Sequence, residues 1–226
     1  MKTLVVIAHP NSHESGVQSF LKESCASLTD VTIYDIQEEL SSFDLKKTQE
    51  LLASHQRIIF QFPMYWYAAP DMLYNWLEKV LTKSLYQSGL KGKELGIVMS
   101  MGQKLSAFQA GGTEHFTISE LLRPFQALAY KCLMTYLPPF PISLFPYLKE
   151  KEKHQLLISY QQYLTKENDH RFVTSEKWVI NRLKELSDKG LINDSDNRLS
   201  FIQDTLENNR MELDSLLATL EEMRVD

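Results

Sequence analysis

The chain has 226 residues, 43% of them hydrophobic and 23% charged, with a formal net charge of -5. That length supports one substantial core plus an appendage; the acidic balance argues against a nucleic-acid partner, and no apolar run approaches the roughly 20 residues that span a bilayer. A strand pattern begins almost at once in place of a signal peptide, and Cys25 and Cys132 form no CxxC, so the expectation is a cytoplasmic protein with two reduced, non-catalytic thiols.

In chain order, Leu4 to Ala8 is an apolar, β-prone run stopped by Pro10, and a polar loop then feeds Ser15 and Gly16 into an amphipathic helix pattern. Val31 to Asp35 reads as a second strand, Leu45 to Ser54 as a helix, and Arg57 to Gln61 as a third strand ending at Pro63. Asp71 to Leu81 has helical periodicity, with Pro70 suited to its first turn. Glu94 to Met99 reads as a fourth strand, Thr117 to Tyr130 as a helix and Lys131 to Tyr136 as a fifth strand. Strands alternating with helices predict an α/β fold with a doubly wound, five-stranded parallel sheet. Ligands of such sheets gather beyond the carboxyl ends of the strands, at the point where strand order reverses.

Three loops leave strands at that end. The first, His9 to Gly16, offers hydroxyls and free helix N–H groups to an anion such as a phosphate; in the plainer reading Ser15 merely caps the helix. The second, Phe62 to Pro70, carries the consecutive aromatics Tyr65, Trp66 and Tyr67 and no charge, which suits the wall of a cleft or a cover over the sheet end or a subunit contact. The third, Ser100 to Gly112, holds Gly102, Gly111 and Gly112, which permit close backbone approach to a flat ligand or simply make turns. His9, His13 and Glu14 lack a further placed ligand for a metal, so no metal site is expected. The chain has no GxGxxG or GxSxG and no acidic cluster after the first strand, which sets aside dinucleotide-Rossmann, hydrolase and response-regulator readings.

Taken together, Ala8-His9-Pro10 with Ser15, Pro63 to Tyr67, Leu90 to Lys93, Gly111-Gly112 with His115 to Thr117, Leu122 to Gln126 and Leu137 to Phe140 resemble the NAD(P)H:quinone oxidoreductases of flavodoxin-like fold. These include the modulator-of-drug-activity type and the ancillary oxidoreductases of potassium-efflux systems. The resemblance implies a flavin with its phosphate held by His9, Ser15, Gly16, Val17 and Gln18. FMN is favoured over FAD because the loop supports one phosphate and no adenine site is readable, with FAD left open. Pro63, Met64, Tyr65, Trp66 and Tyr67 on one loop and Ser100, Met101, Gly102 and Gln103 on another then bind the isoalloxazine ring. Tyr67 and His115 are the implied catalytic residues: N–H groups at Trp66, Tyr67 and the Gly102 loop stabilise the reduced ring, and His115 stands where related enzymes carry a histidine. It acts alone or through water, because Phe108 replaces their tyrosine; in the plainer reading His115 caps the next helix or packs at a dimer interface. The implied activity is transfer of two electrons from NADH or NADPH to a quinone-like acceptor by a ping-pong mechanism, in a homodimer without membrane insertion. A regulatory flavoprotein that senses redox state for a membrane transporter is the alternative.

Residues 1–170 are thus expected to form the flavin-binding domain and 171–226 a helical extension. In the extension, Leu199, Ile202, Leu206, Asn209, Leu213, Leu216, Leu220 and Met223 alternate by three and four, predicting a seam with one polar register position on a helical arm that packs on its own subunit or on a partner. Glu207, Arg210, Glu212 and Glu221 are expected on its solvated face, and Asn193 to Asn197 as the preceding turn.

Overall fold

The computed structural model describes residues 1–39, 42–169, 171–191 and 198–225, so the predicted turn at Asn193 to Asn197 lies outside the described residues. It divides into two compact units, Met1–Thr165 and Lys166–Asp226. In the first unit the strands are β1 (Thr3–Ile7), β2 (Val31–Asp35), β3 (Arg57–Pro63), β4 (Glu94–Met101), β5 (Thr135–Tyr136) and β6 (Phe140–Ser143). Its helices are α1 (Gly16–Cys25), α2 (Ile36–Glu39), α3 (Leu45–Ser54), α4 (Asp71–Val80), α5 (Ile118–Leu121), α6 (Arg123–Lys131) and α7 (Glu150–Thr165).

All strand pairs are parallel, in the order β2-β1-β3-β4-β5, with β6 also on β4. The chain winds outward from β1 in both directions, so the switch point lies between β1 and β3. Every residue of β1 and β3 is buried, as expected for central strands covered on both faces. One face packs Leu4, Val6, Ile58 and Phe60 against Leu52, Leu73, Trp76 and Phe125 from α3, α4 and α6. The other packs Val5, Ile7, Ile59 and Val98 against Leu21 and Cys25 of α1 and Tyr160 and Leu164 of α7.

Two predicted elements are corrected. The helix over Thr117 to Tyr130 is two helices: Thr117 and Glu120 form a capping box on α5, and Pro124 restarts the chain in the first turn of α6. The predicted fifth strand, Lys131 to Tyr136, begins as the end of α6, turns at Leu133 (φ 56°), and leaves only Thr135–Tyr136 as β5. Pro138 and Pro139 have no N–H for a ladder, so pairing with β4 lapses and resumes at Phe140 as β6. The Tyr163 hydroxyl of α7 fills the gap, accepting from Ile97 N at 3.1 Å and donating to Pro138 O at 2.9 Å. Gly96 makes room for it, since a Cβ there would lie 2.6 Å from the hydroxyl oxygen.

α7 also closes a buried polar chain under β3. Tyr160 Oη donates to Gln61 Oε1 at 2.6 Å, Gln61 Nε2 donates to Gln18 Oε1 at 2.6 Å, and Cys25 Sγ contacts Tyr160 Oη at 3.8 Å. Burial pushes the Cys25 thiol up to about 11, which leaves it a core thiol without nucleophilic character.

In the second unit, α8 (Phe172–Asp188) and α9 (Arg198–Val225) pack against each other. Within the single chain the expected seam is not the face that α9 buries. Leu199 and Leu206 are partly buried, whereas Ile202, Asn209, Leu213, Leu216, Leu220 and Met223 are exposed. For Ile202 and Asn209 the reason is the face: the less exposed positions of α9 are Leu199, Gln203, Leu206, Glu207 and Arg210, and α8 meets Glu207 and Arg210 through Lys184 and Glu176. For Leu216, Leu220 and Met223 it is length, since α9 has 28 residues and α8 only 17, about 42 Å against about 25 Å. Arg210, expected in solvent, is instead buried, bonded to Glu176 at 3.1 Å and to Asp214. Glu207 pairs with Lys184 at 2.6 Å. Among the described residues no helix is long and apolar enough to cross a membrane.

Candidate functional site

The loop from β1 to α1 is held open at the switch point. Ala8 N donates to Gln61 O at 2.9 Å, which carries the strand pairing one residue past β1 before the chain turns away. Asn11 N then donates to His9 Nδ1 at 3.0 Å. That bond occupies Nδ1 as an acceptor, so the neutral ring carries its proton on Nε2, a donor left for a ligand. Burial lowers the His9 pKa, with Asp35 opposing the shift, which keeps the ring neutral near pH 7.

Ser12 is 1% exposed, and its Oγ has no hydrogen-bond partner in the structure. A buried hydroxyl without a partner is uncommon, and this one lies four residues from the first turn of α1. Ser15 caps that helix only loosely, accepting from Gln18 N at 3.4 Å. The N–H groups of Gly16 and Val17 have no intrahelical acceptor, and a Cβ built on Gly16 would meet nothing within 4 Å. The Gln18 side chain turns inward to Gln61, so this residue offers the loop its backbone alone.

The Pro63 to Pro70 loop makes a tight turn. Tyr65 and Ala68 exchange two backbone bonds of 3.0 Å each, and Trp66 (φ 48°) and Tyr67 (φ 63°) both sit in the left-handed region. This is the geometry of a two-residue type I′ turn, where Asn and Gly are the usual occupants. Two aromatics there cost about 1–2 kcal/mol per residue in backbone strain, and the turn holds Trp66 out at 93% exposure. Strain of this kind gathers at ligand sites.

The loop after β4 supplies the opposite wall. Ser143 Oγ donates to Gln103 O at 2.6 Å and Glu114 N donates to Ala107 O at 3.1 Å, which pins both ends of the loop. Gly112 is required because a Cβ would fall 2.3 Å from the Ala107 carbonyl oxygen. Between the two walls lies a cleft of about 270 Å³ lined by Met64, Trp66, Tyr67, Met101, Gly102, Gln103, Phe108 and Glu114. Tyr67 Oη donates to Glu114 Oε2 at 2.8 Å, a bond that joins the walls and raises the Tyr67 pKa.

Of the residues expected around a ring, the structure brings Met64, Trp66, Tyr67, Met101, Gly102 and Gln103 to one cleft. Pro63 is buried in β3, Tyr65 is spent on the turn, and the Ser100 carbonyl accepts from Met64 N at 2.8 Å. His115 is exposed with φ 63° and does not line the cleft, whereas its neighbour Glu114 does. Glu114 and Ser12 are the residues that sequence reasoning did not single out. A hydroxyl in the first loop was the available signal for Ser12. Glu114 had none, because its partner is 47 residues away. Among the described residues no group of three or more His, Cys, Asp or Glu side chains could hold a metal ion.

The neutral His9 has a pH consequence. Its folded-state pKa lies below the ordinary imidazole value, so the unfolded chain binds more protons between the two. Its contribution to stability is complete above about pH 6.5 and is lost as pH falls through that interval toward the folded pKa. Urea unfolding of the flavin-free protein across this range is expected to show the decline, and His9→Gln to flatten it. An equal decline in the variant would assign it to other groups.

Residues 1–164 match the family model described as flavodoxin-like fold. An NAD(P)H oxidoreductase of Bacillus subtilis, YrkL, is 44% identical over 146 residues, covering 62% of this chain and 84% of the relative. A solved structure named as an NADPH-quinone reductase from P. pentosaceus is 43% identical with a TM-score of 0.69, covering 73% of this chain and 98% of that one. General stress protein 14 from Treponema denticola, solved in complex with FMN, is 29% identical with a TM-score of 0.64, covering 73% and 96% of the two chains. By its 2-1-3-4-5 parallel sheet and by this match over residues 1–164, the chain belongs to the flavodoxin-like family.

Proposed function

We propose that this protein is an FMN-dependent NAD(P)H oxidoreductase that passes two electrons to a quinone-like acceptor in ping-pong order, as a homodimer. The observation that carries the reading is the buried, unpartnered Ser12 hydroxyl beside the open N-terminus of α1, at the switch point and at the same end of the sheet as the aromatic cleft. The names of the relatives, and the FMN in one of their structures, support the same chemistry.

The residues fit the cofactor. His9 Nε2–H, the Ser12 and Ser15 hydroxyls and the Gly16 and Val17 amides would donate to a phosphate, and the α1 dipole would favour its charge. These donors account for one phosphate, which favours FMN over FAD. When bound, the flavin supplies hydride acceptance and release. Met64 and Trp66 on one wall and Met101 to Gln103 on the other would hold the ring, while buried Phe108 would help to exclude water and has no proton to give. Tyr67 stands at the same cleft with its hydroxyl kept protonated and its O–H directed to Glu114, which leaves the phenol oxygen to accept a hydrogen bond from, and so orient, an acceptor at the opening.

The test is spectroscopic. Protein loaded with FMN is expected to bleach rapidly on anaerobic addition of NADH or NADPH and to regain its colour with a benzoquinone. Slow bleaching by both nucleotides would favour the redox-sensing alternative, and failure to bind flavin at all would end the reading.

A further inference from the structure

Next to the cleft, across the ridge formed by Gly102 and Gln103, lies a larger groove of about 790 Å³. Its walls are Lys104, Ser106, Gln109 and Thr113 on one side and Leu144 and Tyr147 on the other. The groove is built rather than incidental. Leu144 N donates to Met101 O at 3.0 Å, and Leu144 then takes φ 50°, which turns the Phe145–Tyr147 segment up beside the β4 loop. The Ser143 to Gln103 bond fixes the ridge at the groove's head.

Three features define the ligand. The Tyr147 ring is 79% exposed, a flat platform for a base. Lys104 has no acidic partner among the described residues, and none of the lining residues is acidic, in a chain of net charge -5. The cleft itself is small: at about 270 Å³ it is below the roughly 300–1,000 Å³ of a typical ligand pocket. A dinucleotide whose nicotinamide reaches the ring must therefore lay its other half elsewhere, and the groove shares its ridge with the cleft.

We infer that the groove between the β4 loop and Tyr147 takes the adenylate arm of the dinucleotide donor, with Tyr147 stacking on the purine and Lys104 meeting a phosphate. This rests on the flavin-reductase reading for the donor, while the chemistry of the groove is independent of it. Gln103 and Gln109 add amide groups for the ribose or the base edge.

The test compares NADH and NADPH with reduced nicotinamide mononucleotide, which lacks the adenylate arm, on the FMN-loaded protein. Tyr147→Ala and Lys104→Ala are each expected to raise KM for the better dinucleotide about tenfold. The parameters for the mononucleotide and the affinity for FMN should stay the same. A second readout needs no turnover: calorimetric titration with ADP-ribose is expected to show binding that both substitutions weaken. Equal effects on dinucleotide and mononucleotide, or no ADP-ribose binding to a protein that does bleach with NAD(P)H, would overturn the groove and leave the flavin reading standing. ADP-ribose binding that depends on Tyr147, in a protein that takes up no flavin, would uphold the groove and overturn the flavin reading. Altered oligomeric state in the Tyr147→Ala protein, without loss of ADP-ribose binding, would make the groove a subunit contact instead.

Discussion

Ser15→Glu is expected to weaken FMN binding by at least about 100-fold while leaving the fold intact. Ser15 occupies the cap position of α1, with its side chain turned to the Gln18 amide. A carboxylate there is compatible with the helix, because an acidic group at the N-terminus is favoured by the dipole. It is incompatible with a second anion. Two unit charges 4 Å apart repel by about 4 kcal/mol at an effective dielectric constant of 20, and swinging the longer side chain outward recovers part of that. Titration of FMN fluorescence measures the loss. Ser15→Ala serves as the control, with a much smaller effect because only one hydroxyl donor is removed. Unchanged affinity in the glutamate variant would place the phosphate somewhere other than α1.

The largest effect on stability is expected from Arg57→Ala, about 3–5 kcal/mol. Arg57 opens β3 and is 2% exposed, yet it is charged. Its Nε donates to Glu94 Oε2 at 2.6 Å and its Nη1 to Tyr163 O at 2.5 Å, so one side chain ties β3 to β4 and both to the end of α7. Truncation leaves a cavity, an unpaired carboxylate and a carbonyl without its donor. Denaturant unfolding of the wild type and the variant reads the difference. Arg57→Met, which fills the space, is expected to fall between the two, because Glu94 is 21% exposed and can turn to water. A cost below about 1 kcal/mol for the alanine variant would show that the pair acts as an exposed one. Since Arg57 lies at the opposite end of β3 from the cleft, protein that remains folded should keep its FMN affinity.

Much of this molecule is legible from local pattern. The runs Val31–Asp35 and Leu45–Ser54 are elements with those bounds, because each is bracketed by turn or capping residues and carries one clear period. The loop from His9 to Ser15 and the aromatic loop after Pro63 are recognisable for the same reason: a strand of apolar residues ends at a proline, and the residues beyond it have no period. What local pattern misjudged are the places where a distant residue decides. Lys131 to Tyr136 has the composition of a strand, but α6 runs on into its start and β5 keeps only two residues; the gap that Pro138 and Pro139 leave in the ladder is filled by Tyr163 from α7. α7 itself, opening on Glu150-Lys-Glu-Lys, has little amphipathic signal, since part of its buried face is the polar pair Tyr160 and Gln161. Arg210 looks solvated by type and is buried because α8 brings Glu176 to it. In the candidate site the sequence alone determined which residue types the loops carry and, through the alternation of strands and helices, that the loops after the strands share one end of a parallel sheet, whereas the strand order that sets them side by side is a tertiary fact. Only the tertiary structure decided that Glu114 and not His115 faces Tyr67, and that the Ser12 hydroxyl is buried without a partner. Those facts depend on φ angles at single residues and on contacts between segments far apart in the chain, and neither leaves a period for a sequence to show.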